Sequence, residues 1–284
     1  MKTNKLRIIA MLLFIVLVLV ACSGKSESNE AQTDEDAEKT GSKESFFVWD
    51  ENMITGLTDR GKAQKTLVVP ARCEGFTDAV FMDCKAETVS FEDDDDIDLS
   101  IAFMSTAVKT VYLPDGLTTI ELGAFMGCEN LEKVVLPGSL TELGMYAFQF
   151  CKKLATVEFR GTQLKTISKQ CFEKCESLTE IVIPEGVEVI EDGAFFQCKQ
   201  LSDITFPSTL KSIEGNAFNS TAARELRFPE QVTDLRIDAA AFGGMTTSGQ
   251  FYGTGSIKVY ITAGSWLDLN REQWDIGFGE IIAE

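Results

Sequence analysis

The chain contains no histidine. That absence removes Ser-His-Asp and Cys-His nucleophile pairs, and with them every imidazole metal ligand. Basic residues are also scarce: 26 Lys and Arg stand against 44 Asp and Glu in 284 residues, a formal charge of -18. Nucleic acids and acidic lipids are held through Lys and Arg, so a polyanion of this size attracts neither by charge. The apolar run Ile8 to Val20 falls short of the roughly 20 residues a membrane helix needs. The Gly-rich stretch from Gly243 to Gly255 has no Gly-Lys-Ser/Thr ending and is not a phosphate loop.

What is present begins with an address. Met1 to Arg7 is short and basic, Ile8 to Val20 is apolar, and Leu19-Val20-Ala21-Cys22-Ser23 follows. A basic start, an apolar core and a small-residue exit describe an export signal over residues 1–21. The exit resembles the bacterial lipobox, which implies cleavage after Ala21 and lipid on Cys22, with membrane attachment through that lipid. Residues 22–45 are then expected to be a tether. From Ser23 to Ser45 they hold no aromatic or branched aliphatic side chain, so they cannot bury enough apolar surface to offset ordering entropy.

The rest of the chain repeats itself. An apolar-Pro step recurs at Leu113-Pro114, Leu136-Pro137, Ile183-Pro184 and Phe206-Pro207. A small residue followed by Phe recurs at Phe125, Phe148, Phe172, Phe195 and Phe218, with spacings of 23, 24, 23 and 23. Three residues after each Phe stand Cys128, Cys151, Cys175, Cys198 and Thr221. A period in the twenties marks a solenoid, in which no unit buries its apolar face without its neighbours. Degenerate units around Phe81, Phe103 and Phe242 bring the expected count to eight. Alternation in Lys133 to Leu136 turns Val134 and Leu136 inward and Lys133 and Val135 outward. Leu140 and Leu143, like Val187 and Ile190, are spaced for a tight helical turn, and Phe spans the core. Stacked strands predict one parallel sheet roughly 35–40 Å long. A strand pair in residues 46–65 caps one end of the solenoid, residues 66–257. A strand at Val259 to Ile261 and a short helix from Gly264 to Asn270 close residues 258–284. The distance from Phe242 to Val259 is 17 residues against 9 from Phe125 to Val134, so the Gly-rich stretch is an insertion, expected to be a mobile loop.

Strand, Pro, Ile/Leu turn, Ala-Phe and then Cys-x-x-Leu, with Cys128/Leu131, Cys151/Leu154, Cys175/Leu178 and Cys198/Leu201, resembles the BspA-like leucine-rich repeat. The resemblance covers about Leu67 to Phe242. It implies an α/β-type leucine-rich-repeat solenoid: a right-handed coil with short parallel strands on one face and short or helical turns on the other. It further implies a bacterial surface protein of the adhesion type, with no catalytic residues and no cofactor. Two positions depart from the pattern: Glu92 replaces Pro, and Cys171 stands where Ala is usual.

The candidate sites are the places where the units differ. Seven cysteines follow Cys22, an odd number that cannot all pair, and five share a slot that Thr takes at 106 and 221. They read as small buried residues. Asp93, Asp94, Asp95 and Asp96 are hard oxygen ligands of the kind calcium takes, although their spacing does not match an EF-hand. The outward strand columns supply the candidate ligand face: Tyr112, Lys133, Val135, Glu158, Glu180, Val182, Asp203, Thr205 and Arg227. Acid gathers from Glu158 onward, which suits a protein partner with a basic or mixed patch. A further stripe, Met82, Met104, Met126, Gln149 and Glu173, is either an exposed patch or packing against the next rung. The expected function is non-enzymatic protein binding or adhesion on the cell envelope. The alternatives are scaffolding within the envelope, and polysaccharide capture through Tyr112 and Tyr260.

Overall fold

The computed structural model describes residues 43–93, 95–99, 101–161, 163–245, 251–252, 257–274 and 278–284. The expected signal, Cys22 and the tether up to residue 42 lie outside them, as do Asp94 and most of the Gly-rich insertion. Lys43, Glu44 and Ser45, read as the end of the tether, belong instead to a 3-10 turn, Lys43–Phe46. The turn is held by an ion pair from Lys43 to Glu92 at 2.8 Å and by Thr58 Oγ1 donating to the Ser45 carbonyl.

The first elements form the cap. Strands β1 (Phe47–Asp50) and β2 (Met53–Leu57) pair antiparallel, as the alternation predicts. Helix α1 (Asp59–Lys62) follows, N-capped by Thr58, whose Oγ1 accepts from the Gly61 N–H. Then come β3 (Thr66–Val69), β4 (Gly75–Phe76) and β5 (Thr88–Phe91).

From there each unit gives two strands. The first units contribute β6 (Thr110–Val111), β7 (Thr119–Ile120), β8 (Lys133–Leu136) and β9 (Glu142–Leu143). The middle units contribute β10 (Thr156–Phe159), β11 (Thr166–Ile167), β12 (Glu180–Val182) and β13 (Val189–Ile190). The later ones contribute β14 (Asp203–Thr205), β15 (Ser212–Ile213), β16 (Glu225–Arg227) and β17 (Arg236–Ile237).

The described part of the insertion holds an antiparallel pair, β18 (Gly244–Met245) and β19 (Phe251–Tyr252), and the rest of the expected mobile loop lies outside the described residues. The end is built from β20 (Lys258–Ile261), α2 (Trp266–Leu269), α3 (Arg271–Trp274) and β21 (Glu280–Ala283). β21 pairs parallel to β20 and was not legible in the repeat.

The result is a parallel-strand solenoid of about nine turns, one more than the eight small-residue-Phe units, because β20 adds a strand without a Phe of that type. Two details differ from expectation. Leu140 to Leu143 and Val187 to Ile190 are not helical turns. Their ends form two-residue strands that pair parallel with the next rung, as Val189↔Ser212 and Ile190↔Ile213. Extension satisfies backbone groups between rungs, which one isolated helical turn cannot do. The long sheet is also not one sheet but two five-stranded ones, β3-β5-β6-β8-β10 and β12-β14-β16-β20-β21.

A third row of cross-rung bonds runs along the turns. The N–H groups of Phe125, Phe148, Phe172 and Phe195 donate to residues 147, 171, 194 and 217 of the next unit, each at 2.8 Å. The rings behind them, from Phe81 to Phe242, form an unbroken stack with centroids 4.6–5.3 Å apart. Such a row needs the chain to turn sharply twice per unit. Tyr146 and Phe150, and Gln170 and Lys174 one unit on, take the left-handed conformation, with φ between 52° and 63°.

Candidate outward face and its buried supports

The inward positions are fully used by the fold. Val134, Leu136, Leu140, Leu143 and Phe148 are buried, as are their counterparts in the clear units except Leu113 and Phe159, which are half-buried against the core. All seven cysteines after Cys22 are buried and unpaired. Their slot asks for more than smallness. Cys128 Sγ donates to the carbonyl of Phe103 at 2.9 Å, Cys151 to Phe125 at 3.2 Å, Cys175 to Phe148 at 3.4 Å and Cys198 to Phe172 at 3.1 Å. Each thiol thus reaches back one rung to the second lone pair of a carbonyl that already accepts an N–H. Thr221 also donates to a Phe carbonyl, but within its own unit, its hydroxyl 2.9 Å from the Phe218 oxygen. The Cys/Thr alternation in the sequence was the available signal for a donor. Burial pushes the thiols of Cys151, Cys171 and Cys175 well above the ordinary range.

The Met stripe packs inward. Met104 and Met126 are buried, and so are Gln149 and Glu173. Gln149 Nε2 donates to Glu173 Oε2 at 2.7 Å, and Gln170 Nε2 donates to the same oxygen.

Two members of the acidic run, Glu92 and Asp96, bond to neighbouring elements. Asp96 accepts from the Thr118 N–H at 2.9 Å and from its hydroxyl at 2.7 Å. Glu92 accepts from Lys43 and from the Ala71 N–H. The Lys43 hydrogen bond holds the Glu92 carboxyl below its usual range. Asp93, Asp95 and Asp96 border a hollow of about 20 Å³, room for a single water. Among the described residues no three His, Cys, Asp or Glu side chains are grouped to hold a metal ion.

The outward columns stand where alternation puts them. On the first sheet Tyr112 is 62% exposed and Val135 is half-buried. Lys133 pairs with Glu158 on the next strand at 3.3 Å, and Arg160 reaches Glu158 at 3.7 Å and Asp115 at 3.6 Å. On the second sheet Val182 is 60% exposed and lies opposite Thr205. Glu180 lies opposite Asp203 in register, acid facing acid. Arg227 does not neutralise them. Its guanidinium lies 3.8 Å over the Tyr260 ring and 3.5 Å from Glu284. This stacking was not legible in the sequence, and it covers one of the two tyrosines considered for sugar stacking.

Elsewhere the rungs pair acid with base across one period: Glu87 with Lys109 at 2.9 Å, Glu129 with Lys152 at 2.6 Å and Glu176 with Lys199 at 2.8 Å. The face therefore holds two unlike parts, both on rigid strands over one core.

The family model for the BspA type leucine rich repeat region matches in six copies, over residues 61–163, 99–224 and 165–258. The chain belongs to the BspA-type leucine-rich repeat family. The chain is similar to several solved structures. A leucine-rich repeat protein from Bacteroides ovatus is 19% identical, with a TM-score of 0.51 over 84% of this chain and 74% of that one. The Treponema pallidum leucine-rich repeat protein is 25% identical, with a TM-score of 0.40 over 68% of this chain and 78% of that one. A leucine-rich cell surface protein from Faecalibacterium prausnitzii is 16% identical, with a TM-score of 0.34 over 92% and 96%. No curated protein matches the chain.

Proposed function

We propose that this BspA-type chain is a lipid-anchored binding module of the bacterial cell envelope. Residues 1–21 direct export, Cys22 carries the lipid, and the chain from there to residue 42 holds the solenoid of residues 66–257 away from the membrane. Residues 46–65 and 258–284 close its ends. The module binds a protein ligand through the outward faces of its two sheets and performs no catalysis.

One observation carries the reading. Tyr112 and Val182 are exposed apolar side chains on a rigid strand face, and neither contributes to the core. Isolated apolar exposure is ordinary, but here it sits in columns whose other members vary from unit to unit while the inward columns do not. The acid-rich second sheet suits a ligand with a basic or mixed surface.

The test is a photo-crosslinking residue placed at Tyr112, at Val182 or at Lys199, an exposed site off the strand face, in intact cells. Adducts of the same ligand from the first two positions and none from the third support the face. Adducts equally strong from Lys199 overturn it. Protease treatment of the cells separates outward display, which releases the solenoid, from an internal scaffolding role, which protects it.

A further inference from the structure

The two five-stranded sheets end at the same place in the chain. The long sheet is interrupted between β10 and β12, and the row of two-residue strands between β9 and β11. Both gaps flank the one clear unit of 24 residues. Between β10 and β11 the chain runs six residues, Arg160 to Lys165, against five from Pro137 to Thr141. Arg160 also stands where Pro114, Pro137, Pro184 and Pro207 stand in four other units, a replacement it shares with Glu92.

The described part of the longer connection leans on the rung before it. Arg160 N–H donates to the Leu136 carbonyl at 3.0 Å, and Gln163 Nε2 to the Gly138 carbonyl at 3.4 Å. A Cβ on Gly161 would lie 2.4 Å from the Gly138 oxygen, so the two backbones touch with no side chain between them. No strand ladder joins β10 to β12, and beside that gap the Ser177 N–H donates to the Lys152 carbonyl at 3.0 Å. The turn side is continuous there. Tyr146, Phe148 and Phe150 donate N–H bonds of 3.1, 2.8 and 2.9 Å to residues 169, 171 and 173, and the Phe148 and Phe172 rings stack at 5.3 Å.

We propose that the solenoid is jointed at this unit. Its two halves pivot about the turn-side ladder at Phe148 and Phe172, and the inserted residue is the cause. The outward face is then two platforms that reorient. One carries Tyr112, Lys133, Val135 and Glu158, and the other Glu180, Val182, Asp203, Thr205 and Arg227. The joint holds whether or not that face binds the ligand proposed above, and its test needs no ligand.

Hydrogen exchange on the full chain is the first measurement. Amides of Thr166, Ser168, Thr179 and Glu180 should exchange at least about tenfold faster than their counterparts Glu142, Gly144, Ala155 and Thr156, which donate across rungs. Equal protection overturns the joint. The second measurement is spin-label distance in the full chain carrying Cys22→Ser, where the remaining native thiols are buried. Labels at Thr110 and Asp203 cross the joint by four strand steps, and labels at Thr66 and Thr156 span four steps within one half. A broader distribution across the joint is expected, narrowing when Arg160→Pro is combined with deletion of Gln163. Equal widths in the native chain overturn the pivot. A folded repair variant that stays broad overturns the insertion as its cause.

Discussion

Cys151 Sγ lies 3.2 Å from the carbonyl oxygen of Phe125, one rung earlier, and that oxygen also accepts the Cys128 N–H at 3.2 Å. The thiol is therefore a weak donor completing a buried acceptor rather than a spacer. Replacing Cys151 by Ala should cost about 1–2 kcal/mol through lost packing and the lost bond, and Ser should recover roughly 0.5–1 kcal/mol of that. Urea unfolding of both variants measures the difference. A Ser variant less stable than the Ala variant would make the slot purely steric.

The thiols also set an alkaline limit. Burial raises the Cys171 pKa well above its unfolded value of about 8.5. Below that pH both states keep the proton, and the contribution to stability is fully present. Above it the unfolded chain releases the proton and the folded one does not, so stability falls by about 1.4 kcal/mol per pH unit for each such thiol. Cys171→Ala, which restores the family's usual residue, should lose less stability than the native chain between pH 8.5 and 10. Parallel curves would contradict the assignment.

The Phe stack is the core's spine. Phe148 lies between Phe125 at 5.1 Å and Phe172 at 5.3 Å, with interplanar angles of 5° and 2°. Phe148→Ala should cost about 3–5 kcal/mol by chemical denaturation, from lost transfer energy and the cavity left behind. A loss below about 1 kcal/mol would mean that the rungs collapse around the gap.

The turn columns carry opposite predictions for two rungs three units apart. Gly127 has φ +75°, and a Cβ there would meet Ser105 Oγ at 2.9 Å, so Gly127→Ala should destabilise by about 1–2 kcal/mol. Gln197 takes φ 58° with a full side chain. Gln197→Gly should relieve a similar strain, less about 0.5–1 kcal/mol for the added freedom of the unfolded chain. Thermal melts that shift in the same direction for both variants would contradict this.

The repeat made the inward columns legible, because burial enforces one residue type at one phase. Val134, Leu136 and Phe148 stand where alternation and spacing put them. Its ends were legible in the same way for β1, β2 and β20. β21 was not, since Glu280 to Ala283 repeats no unit. Backbone chemistry was the main blind spot. A thiol that donates to a carbonyl, a Tyr146 with positive φ and a two-residue strand at Val189 leave little trace in a hydrophobic pattern. The gap between β10 and β12 had a trace, the single 24-residue spacing, whose meaning lies in hydrogen bonds rather than composition. The outward face was placed correctly by alternation, but the diversion of Arg227 onto Tyr260 depends on two strands meeting and on Glu284, far away in sequence.

The most direct test of the binding face is ligand capture by the solenoid with and without its exposed apolar points. Native chain and the variant Tyr112→Ala, Val135→Ser, Val182→Ser should unfold at nearly the same denaturant concentration, because Tyr112 and Val182 are exposed and Val135 is only half-buried. Recovery of the crosslinked ligand on immobilised native chain, reduced about tenfold or more on the variant, is the expected result. Equal recovery on both would contradict a binding role for the outward sheet face.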